Sequence, residues 1–244
     1  MMIRTGLRTV VCSLGLAVAT LPAQAITVAN PYLGPTAYRS ANDSPFSALS
    51  FNVFHLEDFE DGLLNTPGVV TTTPGRINGP GDLADSVDSD DGAIDGSGAG
   101  GRSLLSDNFT TFAFEFDAQV LGALPTHVGV VWTDVGNTTS SPGVGSVEFE
   151  AFDALGLSLG VLLAENLGNG SADGRSNATD EDRFFGAALA GGMSRIEIRM
   201  PTSADWELDH LQYGIAAVPL PAAAWLFVTA LGGLGWVSGR AARA

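Results

Sequence analysis

Eight short apolar or alternating stretches, separated by clusters of Gly, Asn, Asp, Ser and Pro, govern what this chain can fold into. Residues 48–54 alternate apolar with small or polar side chains, and residues 110–117 place Phe112, Phe114 and Phe116 on one face. Residues 146–152 and 155–161 alternate again, and 183–189, 195–200 and 206–211 complete the series. Residues 128–132 are almost continuously apolar, as a buried strand would be. Period-two spacing with one buried face is the signature of antiparallel sheet. Turn-forming clusters such as 136–145 and 168–176 divide the runs, and no helical stripe occurs outside the two termini. No fixed-period repeat is present, which argues against a propeller or solenoid. The expected fold is all-β: a two-sheet antiparallel sandwich, jelly-roll-like, of eight or nine strands over residues 26–217.

Charge limits what such a sandwich can bind. The chain has no lysine, and all 27 acids lie between Asp43 and Asp209. Residues 26–217 hold these acids and seven arginines, a formal charge of −20. Such a surface repels nucleic acid and anionic headgroups, so no nucleic-acid partner is expected, and it attracts divalent cations. The only cysteine, Cys12, lies near the N-terminus. Removal of that region leaves no thiol for a disulfide, a nucleophile or a thiolate metal site.

Both ends read as targeting segments. Arg4 and Arg8 precede an apolar run over 10–21, and Ala23 and Ala25 offer the small side chains a signal peptidase requires. Residues 1–25 are therefore expected to be a signal peptide, with Ile26 as the new N-terminus. At the other end, Val218-Pro219-Leu220-Pro221-Ala222 opens an apolar stretch that meets no charge before Arg240. As helix, residues 221–237 would be about 26 Å long, near the minimum for spanning a bilayer. Trp225 and Trp236 stand where aromatic rings favour the headgroup zone. Arg240 and Arg243 would hold the tail on the cytoplasmic side, leaving the acidic domain outside. Residues 218–244 thus form a sorting motif, a transmembrane helix and a basic tail.

That motif, apolar span and terminal arginines resemble a PEP-CTERM sorting signal in its VPLPA variant. The resemblance implies export by a Gram-negative bacterium and processing by an exosortase-type membrane enzyme. It also implies residence at the cell envelope, or release into an extracellular polysaccharide matrix. Leu220 stands where the commoner motif has glutamate, so the processing enzyme is not specified.

The middle resembles jelly-roll carbohydrate-binding modules in two segments: residues 57–62, Glu-Asp-Phe-Glu-Asp-Gly, and residues 206–211, Trp-Glu-Leu-Asp-His-Leu. In those modules acids from the first and last strands hold a structural calcium. Carried over, the resemblance implies Glu60 and Asp209 as ligands, with Glu57 and Asp61 beside them. Solvation of strand ends is the alternative role for these acids. The acidic stretch 82–96 fails as an EF-hand, because setting Gly92 at the sixth position puts Val87 where an acid is required. A solvated loop is expected there, with a looser calcium loop as the alternative.

Catalytic signals are thin. His55, His127 and His210 are isolated, without the spacing of a zinc site. Residues 156–160 spell G-x-S-x-G, but within an alternating stretch and not at a strand-to-helix turn. The expectation is a non-enzymatic surface or matrix protein. The alternatives are a glycan-binding module, using Trp132, Trp206 or Tyr213 as stacking platforms, and a hydrolase built on paired carboxylates.

Overall fold

A computed structural model describes residues 30–81, 84–87, 100–134, 146–165, 182–201 and 206–217. In chain order its strands are β1 (Tyr32–Ala37), β2 (Phe51–Glu57), β3 (Val69–Thr71), β4 (Arg76–Asn78), β5 (Ser103–Leu105) and β6 (Thr111–Phe116). They continue with β7 (His127–Asp134), β8 (Ser146–Asp153), β9 (Ser158–Glu165), β10 (Arg183–Ala188), β11 (Met193–Arg199) and β12 (Glu207–Ala216). A short 3-10 turn (Ala41–Asp43) precedes β2, and one helical turn, α1 (Ala118–Leu121), follows β6.

The fold is all-β, with two antiparallel sheets. One runs β3-β6-β11-β8-β9. The other runs β1-β10-β7-β12-β5-β4, and β2 also pairs with β12. All eight expected runs are strands. The expectation of eight or nine fell short of twelve because β3, β4 and β5 have three residues each, too few for a periodicity to register, and β1 is interrupted by Gly34-Pro35, where its register shifts. Two runs also start later than expected. The stretch 155–161 loses its first residues to a hairpin turn, where the Asp153 carboxylate accepts the Leu155 and Leu157 N–H groups at 2.8 and 2.9 Å.

The sheets pack on a core that includes Phe112, Phe114, Phe149, Phe185, Ile196 and Ile198. Trp132 and Trp206 lie in it with ring centroids 5.2 Å apart. A second, smaller cluster of Tyr38, Phe46, Val87, Val131 and Phe184 lies apart from it. Its Val131 and Phe184 come from β7 and β10, next to Val130 and Phe185 of the main core. These central strands are therefore buried on both faces, which is why residues 128–132 read as continuously apolar.

β12 sits at the centre and changes partner along its length. Glu207 and Leu208 pair with β5, whereas residues 211–216 pair with β2. The break falls at His210, whose φ of 44° lies in the left-handed region. This bulge resets the alternation: Trp206 and Leu208 face the main core before it, Leu211 and Tyr213 after it. Glu207, Asp209, His210 and Gln212 are buried with them but belong to neither apolar cluster.

Among the described residues no helix is long and apolar enough to cross a membrane. The signal segment with Ala23 and Ala25, the motif Val218 to Ala222, the expected span and Arg240 and Arg243 all lie outside the described residues.

Candidate functional site

The four expected calcium ligands all fall near the β12 partner change, but with different surroundings. Glu57, the last residue of β2, is buried and fully engaged. Its Oε2 accepts Asn65 N–H, Thr66 N–H and Thr66 Oγ1–H, each at 3.0 Å, and its Oε1 accepts Phe59 N–H at 3.2 Å. Asp61 accepts Leu63 N–H and the Asn65 side-chain amide. With these bonds Glu57 and Asp61 shape the turn after β2.

Glu60 and Asp209 do come together, on one hydroxyl. Ser86 Oγ lies 3.4 Å from Glu60 Oε1 and 3.2 Å from Asp209 Oδ2. Asp209 also accepts Val87 N–H at 2.9 Å and its own neighbour His210 N–H at 2.6 Å. Glu60 accepts Arg102 N–H. Gly101 closes the site: a Cβ there would stand 2.3 Å from Ser86 Oγ and 2.7 Å from Glu60 Oε1. Calcium takes six to eight oxygens, and among the described residues no group of three or more acids or histidines is arranged to hold a metal.

Sequence reasoning missed Glu207, one residue into β12. It is buried and accepts Asn78 Nδ2–H at 2.8 Å, Asp85 N–H at 2.6 Å and Ser103 Oγ–H at 2.7 Å. With Asp209 it straps residues 84–87 across the sheet, helped by Thr133 Oγ1–H donating to Asp85 O at 2.9 Å. Part of the stretch expected to be a solvated loop is thus a buried connection, with Ser86 and Val87 almost wholly enclosed. The only sequence signal was strand alternation, which placed Glu207 on a face that single-sheet logic assigns to water.

The five-stranded sheet carries a charged ladder. Arg199 donates to Glu148 Oε2 at 2.9 Å and to Glu150 Oε2 at 2.7 Å, and lies 3.6 Å from Glu197. Arg195 pairs with Glu197 and places its guanidinium 4.5 Å from the Phe152 ring centre. Burial works to raise the Glu150 carboxyl, but hydrogen bonds from Ser158 and Arg199 and the two arginine charges outweigh it and hold it below its ordinary value. That is the wrong direction for a general acid. Beside the ladder, Glu115, Phe116, Phe152, Ser194 and Arg195 line a hollow of about 380 Å³.

The aromatic platforms fail on burial. Trp132, Trp206 and Tyr213 are all core residues, at most 1% exposed. Tyr213 donates to Pro67 O at 2.7 Å, and burial, reinforced by the Glu57 charge and opposed by a Thr66 hydrogen bond, pushes its phenol up to about 12. The histidines do not converge either. His210 Nδ1 meets the Tyr38 phenol Oη at 2.8 Å, His55 packs on Tyr213, and His127 sits against Phe46 and Phe51. Ser158, the centre of the G-x-S-x-G match, opens β9 exposed and bonds Glu150.

No protein-family model matches the sequence, and no curated protein is similar to it. One solved structure is similar: the CBM22-2 xylan-binding domain of Xyn10C from Paenibacillus barcinonensis. Its identity to this chain is 13%, over 66% of this chain and 99% of that domain, with a TM-score of 0.31. Neither a ligand nor a finer fold class follows from a likeness of that size.

Proposed function

We propose that this chain is an exported, non-enzymatic surface protein, delivered to the cell envelope by its C-terminal sorting tail and processed there by an exosortase-type enzyme. The observation that carries this reading is the tail itself: Val218 to Ala222, an uncharged apolar stretch, and Arg240 and Arg243. The sandwich supports it, because β12 ends at Ala216, directly before the motif. Fractionation of the native host tests it. Protein beginning at Ile26 in the envelope or medium is expected; full-length protein confined to the cytoplasm would overturn it.

A structural calcium is proposed at Glu60 and Asp209 alone, where moving the Ser86 hydroxyl would open both carboxylates to the ion. EDTA should then lower the melting temperature by several degrees, since an ion bound only by the folded state stabilises it. An unchanged melt refutes the ion.

A second reading, polysaccharide binding, is favoured by Phe152, an aromatic ring set beside Arg195, Glu115 and Ser194 in the 380 Å³ hollow. Retardation in gels cast with the host's own polysaccharide, lost in Phe152→Ala, would support it. Unretarded migration on every polysaccharide tried would count against it.

A further inference from the structure

One end of the sandwich gathers exposed apolar side chains, and the C-terminal tail departs from that same end. Strand pairing fixes the placement. Ala216 at the end of β12 pairs with Phe51 at the start of β2, and Gly214 pairs with His127 at the start of β7. His127 pairs with Ala188 at the end of β10, and Met193 at the start of β11 pairs with Asp153 at the end of β8. Arg195 pairs with Glu115 near the end of β6. The connections 49–50, 117–126, 153–157 and 189–192 therefore share this end, tied by Ala217 N–H to Ser50 O and Met193 N–H to Pro125 O, each at 2.9 Å.

Those connections carry Leu49, Val120, Leu155 and Leu157, which are 44%, 59%, 83% and 62% exposed. Their only ionisable residues are Asp117 and Asp153. Both spend a carboxylate oxygen on backbone N–H groups, Asp117 on Gln119 and Asp153 on Leu155 and Leu157. In a stretch of formal charge −20, this is an unusually uncharged rim. By contrast, the sequence segments 166–181 and 202–205, which link other strands, contain Asp173, Asp180, Glu181 and Asp205.

Chain length supplies the occupant. Ala217 is bonded to Ser50 beside Leu49, and the apolar stretch begins four residues on, at Pro221. Four fully extended residues reach at most about 14 Å, and the headgroup layer on each side of the hydrocarbon is roughly 5–7 Å thick. We propose that this end is a membrane-docking rim, with Leu49, Val120, Leu155 and Leu157 resting in the headgroup layer of a lipid bilayer. Apolar side chains at the interface add binding in proportion to the area they bury, and a rim with two carboxylates in a domain this acidic meets little of the repulsion from anionic lipid that the rest of the surface would. The inference rests on the reading of 221–237 as a membrane span.

The test uses the full chain with Cys12→Ser, reconstituted in phosphatidylcholine vesicles containing nitroxide-labelled lipid. Single cysteines at Leu49, Leu155, Phe109 and Ala230 carry an environment-sensitive fluorophore; Phe109 lies at the far end, before β6. Quenching and a blue shift are expected at 49, 155 and 230, and neither at 109. Adding Leu157→Asp and Val120→Asp should abolish the quenching at 49 without changing that at 230. Quenching at 230 with none at 49 or 155 overturns the docking rim and leaves the span intact. No quenching at 230 overturns the span and the rim with it.

Discussion

Replacing Glu57 by Gln removes one negative charge from a strongly acidic domain, and net charge alone argues that this should stabilise it. The hydrogen bonds argue the opposite, and their sizes decide. Three donors reach Oε2 and one reaches Oε1. A hydrogen bond to a charged acceptor contributes about 1.5–3 kcal/mol and a neutral one about 0.5–1.5. If the glutamine oxygen takes the Oε2 place, three bonds each weaken by about 1 kcal/mol, and the amide NH2 faces Phe59 N–H, costing about 1 more. Relief of repulsion returns only about 0.5–1 kcal/mol, since neighbouring surface charges are screened within about 10 Å at ordinary ionic strength. The expected net loss is about 3 kcal/mol, or about 6–12 °C in melting temperature for a domain of this size. Urea unfolding of fragment 26–217, followed by fluorescence of the buried Trp132 and Trp206, measures it. The Tyr213 phenol, held up in part by the Glu57 charge, should also titrate lower in the variant. A midpoint equal to or above wild type, with unchanged m-value, would refute the hydrogen-bond account.

Tyr32→Phe should cost about 1–2 kcal/mol, because the Tyr32 hydroxyl both accepts Ala151 N–H and donates to Gly160 O, bridging β8 and β9 where their register shifts; an unchanged urea midpoint would show the bridge contributes nothing. Glu150 has a folded-state pKa below its unfolded value, so its stabilisation is present above about pH 4.5 and lost as pH falls through the folded value. Acid melts should accordingly show a shallower pH dependence below 4.5 in Glu150→Gln than in wild type, and parallel curves would contradict this. His127 is lowered by burial, so its contribution is present above about pH 6.5 and falls as pH drops below that; loss of that pH dependence in His127→Asn is the expected check. Trp132→Ala should cost about 3–5 kcal/mol as a core cavity, and any polysaccharide binding should survive it wherever the domain still folds.

Strand character was legible where side chains alternate over six or more residues, since a pleated strand sends neighbours to opposite faces whatever surrounds it. The three phenylalanines of β6 are buried as their spacing requires. The convergence of Glu60 and Asp209 also began in the sequence, through a resemblance confined to two short segments. Their surroundings did not. Glu57 looks the same as Glu60 in one dimension, yet one is saturated by a turn and the other lies exposed beside Ser86.

The sequence by itself determined that residues 26–217 are a thiol-free, acidic, antiparallel β structure, because charge, cysteine count and period two are properties of order along the chain. Tertiary structure alone decided which polar residues of β12 are buried. That strand lies at the centre of its sheet with cover on both faces, and the His210 bulge switches its phase midway. Alternation reports two faces but not what covers each, so it could not show that the 84–87 strap lies across Glu207 and Asp209.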